Sequence, residues 1–268
     1  MQPRDDPTLK LEDTHPMRID FDAEKKYFDE IAAKTVVTRM SQATLDRYAN
    51  PRFPRRYSKE MMFSLLPKHR PLRLLDIGSG EGESSILLAH CGVDVTGLDI
   101  SPTSIAVAQR RAAIHAVNIN FVHANVFEME DFGDECYDVV WCEEILHHLI
   151  EPLDSIISKV WKALRVGGRF IAREPIQCNR WLQTVRRMFP VQVDATPNER
   201  PLGPEEFAVL EKYFPTLQRR FFRAFARIDR ITQRSWVCRS AALLDSLLLR
   251  LKGFRSLAGS LVMWADKT

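Results

Sequence analysis

The chain has 268 residues, enough for one large domain with an elaborate lid. Its 45% hydrophobic and 27% charged residues, with 15 Pro and 11 Gly, exclude a wholly disordered or collagen-like chain. The formal charge of +3 implies no polyanionic partner, but it is unevenly spread: residues 216–268 hold eleven Lys or Arg against three Asp. The body is therefore mildly acidic and the tail basic.

Residues 1–19 carry Pro3, Pro7 and Pro16 without periodicity and read as a flexible leader. Residues 20–70 read as a helical cap, from Phe21, Tyr27, Phe28 and Ile31 and then Met61, Met62, Leu65 and Leu66 at roughly helical spacing. Asn50-Pro51 and Phe53-Pro54 split it into at least two pieces. From residue 71 onward the pattern alternates. Strands are expected at Leu72–Ile77, Val93–Leu98, Asn120–Ala124, Tyr137–Cys142 and Arg169–Arg173. Helices are expected at Glu83–Cys91, from Ser101-Pro102 to Val117, and at Pro152–Leu164. That alternation predicts an α/β, doubly wound parallel sheet. Residues 176–204, with four prolines, read as a lid insertion. Beyond it the pattern predicts a helix at Pro204–Tyr213, a strand at Phe221–Arg227, a helix at Ala241–Leu251 and a closing strand at Leu257–Ala265.

The five cysteines (Cys91, Cys136, Cys142, Cys178, Cys238) show neither a C-x-x-C nor zinc-type spacing, so reduced thiols are expected. Leu243 to Trp264 comes nearest to a membrane span, but Asp245, Arg250, Lys252 and Arg255 interrupt it. Met1 to Lys10 is polar with mixed charge rather than an apolar signal core. A soluble, cytoplasmic chain is expected.

The sharpest motif is Asp76-Ile77-Gly78-Ser79-Gly80-Glu81-Gly82 after the first expected strand. Alternate glycines let the backbone approach a ligand closely beside a helix N-terminus. A dinucleotide fingerprint would place its third small residue where Glu83 stands, and an acidic side chain there opposes a pyrophosphate. No G-K-[ST] follows, which excludes a P-loop. S-adenosylmethionine (SAM) suits the pattern better. Asp76 can attract its ammonium, the glycine amides its carboxylate, Asp99 both ribose hydroxyls and Asn125 the adenine amino edge. All stand at consecutive strand ends, where open α/β sheets bind ligands.

The segments LLDIGSGEGESS (74–85), VTGLDISPTSIAVAQRRA (95–112), YDVVWCEEILHHL (137–149) and LRVGGRFIAREP (164–175) resemble the class I SAM-dependent methyltransferases. The likeness is greatest to the small-molecule group related to quinone, sugar and polyketide enzymes, which includes natural-product biosynthesis. It implies a seven-stranded Rossmann-like sheet in the order 3-2-1-4-5-7-6, with strand 7 antiparallel, and S-adenosylhomocysteine as product. By the family pattern Asp76, Gly78, Ser79, Gly80 and Gly82 line the methionine end, Asp99 and Ile100 the ribose, and Asn125 with Val126 the adenine. Cys142 and Glu143 would border the transfer chamber. Relatives usually carry Asp where Asn125 stands.

The same resemblance implies a general base. His147 in LHHL is its nominee, oriented by Glu174, with His148 the lesser candidate. Glu144, His147 and His148 at i, i+3 and i+4 also suggest a metal set better suited to a transition ion than to Mg²⁺, although no metal site is assigned. Trp181, Leu182, Met188 and Phe189 could line an acceptor pocket, and Tyr57 could reach the cofactor's carboxylate end. The activity expected is methyl transfer to a small molecule, first at oxygen. The alternatives are C- or N-methylation of a hydrophobic or anionic acceptor, or a non-methylating cyclase or binding protein on the same fold. The arginines from Arg219 to Arg239, among Phe221, Phe222, Phe225 and Trp236, read first as a solvated face. Peripheral contact with an acidic membrane or anionic molecule comes next, and nucleic acid last. Monomer and homodimer both stay open.

Overall fold

The computed structural model of the protein describes residues 21–69, 71–176, 200–226, 228, 232 and 234–268. The leader and most of the lid insertion, with Trp181, Leu182, Met188 and Phe189, lie outside the described residues.

Seven strands form one sheet in the order β3-β2-β1-β4-β5-β7-β6. They are β1 (Leu72–Ile77), β2 (Val93–Asp99), β3 (Asn120–His123), β4 (Tyr137–Glu143), β5 (Leu164–Pro175), β6 (Gln218–Phe222) and β7 (Ser260–Asp266). The first five pair in parallel, and β7 runs antiparallel to both β5 and β6. The order reverses between β1 and β4, which opens a crevice above their carboxyl ends. Helices cover the sheet: α1 (Phe21–Ala32), α2 (Gln42–Ala49), α3 (Ser58–Ser64), α4 (Glu83–His90), α5 (Pro102–His115), α6 (Leu153–Ala163), α7 (Pro204–Tyr213) and α8 (Ser235–Leu248).

Buried parallel strands need apolar residues on both faces, and β1 and β4 meet that need. Trp141 on β4 and Phe170 on β5 are fully buried. Phe63 of α3 meets Trp141 edge-on at 5.2 Å on one face of the sheet. On the other, Phe214 stacks on Phe170 at 5.0 Å. Each such ring contributes about 1.5–3 kcal/mol through burial. Ser101 caps α5 by accepting from the Ser104 amide at 2.9 Å, with Pro102 opening the helix. The cap is three helices, and α1 is tied over α5: Asp29 accepts from the Ser101 hydroxyl at 2.5 Å and the Thr103 amide at 3.2 Å.

Four expected elements shift. The sixth strand ends at Phe222 instead of continuing to Arg227, because Arg223 takes φ +65° and turns the chain off the sheet. β5 begins at Leu164, five residues before the expected Arg169, and a register shift opposite Tyr137 and Val139 absorbs Gly167 at φ +75°. The helix expected at Ala241 starts at Ser235, since its first two turns, Ser-Trp-Val-Cys-Arg-Ser-Ala, mix polar and apolar residues without an apolar period. β7 starts at Ser260 after a 3₁₀ turn over Lys252–Leu257.

Candidate active site

The glycine turn hangs from the end of β2. The amides of Gly78 and Ser79 both donate to the Leu98 carbonyl at 2.9 Å, and the Gly80 amide donates to Asp99 Oδ2 at 2.8 Å. Gly78, Gly80 and Gly82 take φ of +72°, +52° and +78°, a region side-chain-bearing residues avoid. Their surroundings differ. A Cβ on Gly78 would lie 2.6 Å from Ile145 Cγ1, and one on Gly82 would lie 2.9 Å from both Ala108 and Phe121. Only Gly80, with nothing within 4 Å, presents open backbone to the crevice. Without a ligand the amides of Gly78, Ser79, Gly80 and Gly82 are engaged inside the turn and with β2, so a ligand carboxylate would compete with those bonds for them.

Carboxylates ring this turn. Asp76 is buried, its Oδ2 accepting from the Ser85 hydroxyl at 2.5 Å, and burial pushes its pKa up to about 7 against that hydrogen bond. Asp99 also accepts from the Ser101 amide at 2.9 Å, and burial raises it above the usual carboxylate range. Glu143 behaves oppositely. Burial pushes it up, but Arg173 at 2.9 Å, Lys59 and the Ser84 hydroxyl outweigh this and hold it below its ordinary value. Asp76, Ser79, Arg111, Glu143, Glu144 and Arg173 share one polar cleft, where the buried Ser79 hydroxyl has no hydrogen-bond partner among the described residues.

An adjoining apolar cavity, about 680 Å³ of empty space partly open to solvent, runs from Gly78 and Gly80 past Asp99 and Ile100 to Asn125 and Val126. Asn125 accepts from the Phe127 amide at 3.1 Å and donates to Glu128 at 3.0 Å, so local bonds fix its amide. The Cys142 side chain lies inside the core instead of the cavity wall, and burial pushes its thiol well above the ordinary value. Tyr57 sits under the Arg47 guanidinium, 4.7 Å from the ring centre, in a separate cleft.

The histidines follow β4 in a buried 3₁₀ turn, Leu146–His148. Glu174, wholly buried at the end of β5, accepts from the Ile145 amide at 3.0 Å and the Leu146 amide at 2.8 Å through one oxygen. Its other oxygen takes His147 Nδ1 at 2.7 Å. His148 Nδ1 meets Glu24 of α1 at 3.2 Å, and Phe28 lies edge-on to its ring. A carboxylate only accepts, so each imidazole turns an N–H at Nδ1 to it, and in its neutral form the ring keeps its lone pair on Nε2. His148 is in the cavity wall, and the ring of His147 lies next to it, the centres 4.1 Å apart and the planes tilted by 41°. Glu144 takes φ +56° and turns to Arg173, so the three side chains of the suggested metal set face three different partners. Among the described residues no group of three metal-ligating side chains is assembled.

Sequence reasoning missed Phe21, Glu24 and Phe28, which bring α1 into the cavity wall, and Ile145, which closes it against Gly78. No spacing announces them. Arg173, next to Glu174, was visible only as the end of a strand.

Residues 75–172 match the family model described as a methyltransferase domain. The ubiquinone biosynthesis O-methyltransferase of Erwinia tasmaniensis is 34% identical over 114 residues, 42% of this chain and 46% of that protein. The protein of the same name from Methylobacterium nodulans is 36% identical over 101 residues, 38% of this chain and 40% of its own. The chain thus matches less than half the length of these curated relatives. Among solved structures, a SAM-dependent methyltransferase from Archaeoglobus fulgidus is similar with TM-score 0.55 and 18% identity, covering 85% of this chain and all of that one. The [4+2]-cyclase SpnF gives TM-score 0.55 at 15% identity, over 92% of this chain and 93% of its own. Haemonchus contortus phosphoethanolamine N-methyltransferase 2, solved with SAM, gives 0.55 at 15%, over 92% of this chain and 57% of that one. At these identities the structures attest the fold. Among the described residues no helix is long and apolar enough to cross a membrane.

Proposed function

We propose that this chain, built around a methyltransferase domain of the class I SAM-dependent type, moves the methyl group of SAM to a hydroxyl oxygen of a small-molecule acceptor. The observation that carries this reading is the pair of carboxylate-backed imidazoles, His147–Glu174 and His148–Glu24, beside the Asp99 cavity. Gly80, with open space over its Cα, the buried carboxylates and the Ser79 hydroxyl, which has no partner among the described residues, fit the donor. SAM supplies an electrophilic methyl whose departure leaves a neutral thioether.

When the donor binds, Asp99 would hold its ribose hydroxyls with Ile100 alongside, Asn125 and Val126 would take its adenine, and Asp76 would attract its ammonium. His147 Nε2 takes the acceptor hydroxyl's proton as the O–H bond breaks, while Glu174 holds the ring and stabilises the imidazolium. His148 is the second reading for the base, favoured by its place in the cavity wall. The apolar wall of Phe21, Phe28 and Phe127 suits a hydrophobic acceptor, and the O-methyltransferase relatives support oxygen over carbon or nitrogen. The decisive experiment incubates the protein with methyl-labelled SAM and hydroxylated aromatic acceptors. Label is expected in an ether product; donor binding with no label moved to any acceptor would favour the cyclase or binding alternative.

Asp99→Ala leaves two backbone amides and the ribose diol without their acceptor. Calorimetry should show donor affinity reduced by about 2 kcal/mol, roughly 30-fold. Donor affinity should also depend on pH. The ammonium favours ionised Asp76, which free protein holds half-protonated near pH 7, so binding weakens about tenfold per unit below that value. Asp76→Asn should flatten the profile. The sign for stability follows: the folded chain retains a proton that the unfolded chain loses above 3.8, so Asp76's contribution falls as pH rises from 3.8 to about 7.

A further inference from the structure

The helix α8 is amphipathic the wrong way round. Its inward face is Ala242, Asp245, Ser246 and, just beyond its end, Leu249. Asp245 sets that orientation: its buried carboxylate accepts from the Phe225 amide at 2.8 Å and the Ala226 amide at 3.0 Å, anchoring the helix to the segment after β6. The outward face therefore carries the apolar side chains. Trp236, Leu243 and Leu247 lie at helical spacing along one stripe, with Leu244 beside it and Leu251 and Phe254 continuing past its end. Trp236 is 67% exposed and Leu247 is 51% exposed. Six of the twelve exposed large apolar side chains among the described residues fall in this stretch of nineteen.

The charges around the stripe have one sign. Arg234, Arg239, Arg250, Lys252 and Arg255 lie in residues 234–257, where the only acid is the buried Asp245. Among the described residues none of the five pairs with a carboxylate; Arg250 and Arg255 donate instead to the carbonyls of Ser246 and Arg250. The basic surface continues beyond α8. Arg239 shares a cleft with Arg47, Arg52 and Arg56, whose charge outweighs that of Asp46 and Glu60 there, and Arg220 donates to the Arg55 carbonyl at 3.2 Å. Burial and then repulsion from Arg250 and Arg55 lower Arg220 from its ordinary value, as expected where positive charge lacks a counterion.

We infer that the outward face of α8, with the turn through Arg255, docks on an anionic lipid surface, its leucines and Trp236 entering the acyl boundary and its arginines meeting the headgroups. An apolar stripe flanked by cations is what such a surface recognises. Four of the six side chains are leucines, which offer no ring for base stacking, so the stripe suits a lipid better than a nucleic-acid strand. In a second copy packed on the same face, like charges would meet. The inference does not rest on methyl transfer and is read without donor or acceptor.

The test is sedimentation of the full chain with vesicles of phosphatidylcholine alone and of equal parts phosphatidylcholine and phosphatidylglycerol. Binding is expected to the anionic vesicles at low salt, weakening as salt rises. Arg239→Gln should lower it about fivefold, from about 1 kcal/mol per cation near the surface. Leu243→Glu with Leu247→Glu should lower it further while leaving donor binding unchanged. Trp236 emission should shift to the blue on binding, a shift lost in Trp236→Phe. Absence of binding to anionic vesicles at low salt would overturn the inference. So would equal binding to neutral vesicles, binding unaffected by Arg239→Gln, or a dimer of the free chain that buries Trp236. RNA binding without vesicle binding would also overturn it.

Discussion

Alanine in place of His147 should lower kcat by a factor of roughly 10² to 10⁴ while leaving donor affinity within about twofold of the parent. The asymmetry follows from geometry. His147 makes its hydrogen bond to Glu174, outside the cavity wall formed by Asp99, Ile100 and Val126. Removing it takes away a proton acceptor and leaves the donor's walls in place. His148→Ala is the control. It removes the bond from the ring to Glu24 and loosens α1, so it should raise KM more than it lowers kcat if His147 is the base. The reverse order of effects, with kcat intact in His147→Ala and collapsed in His148→Ala, would transfer the role to His148. Initial rates at saturating donor over a range of acceptor concentrations separate the two.

Glu174→Ala is expected to cost more in stability than any substitution elsewhere in the site. The carboxylate is wholly buried and is the acceptor for two backbone amides and one imidazole. Truncation strands all three in the core, a loss of about 3–6 kcal/mol at 1–3 for each unsatisfied group less what repacking or water recovers. Chemical denaturation would read it as a lower midpoint with unchanged slope. Glu174→Gln separates structure from chemistry. Its carbonyl oxygen can still accept from Ile145 and Leu146, so most stability is retained, but its amide donates to His147 Nδ1. That moves the ring proton to Nε2, where a base needs its lone pair. A well-folded Glu174→Gln protein with kcat reduced by about 10³ or more is expected. Full activity in that variant would reduce Glu174 to a structural role.

The parts legible in the sequence are those that local physics controls. A six-residue stretch with four Leu or Ile, followed by glycines at every second position, reads as a buried strand entering a turn of positive φ, and Leu72 to Gly82 folds that way. Ser101-Pro102 announces a helix start because the cap bond spans three residues. Where a local signal failed, a nonlocal one decided. The strand expected through Arg227 stops at Phe222, its pairing with β7 ending where Arg223 leaves the sheet. Of the glycine amides, open to a ligand on paper, those of Gly78 and Gly80 are engaged by Leu98 and Asp99 of the neighbouring strand and that of Gly82 by Ser79.

By itself, the sequence determined the alternation of strands and helices, the glycine turn and the acid at the end of β2, since periodicity and backbone sterics act within a few residues. Tertiary structure alone decided which histidine backs onto which carboxylate: Glu174 lies 27 residues from His147, and Glu24 lies 124 from His148. It also decided that α8 turns its leucines outward, because Asp245 finds its amides about twenty residues back along the chain. Such pairings depend on which buried donors and acceptors the sheet brings together, and their satisfaction outweighs the local preference of any one residue.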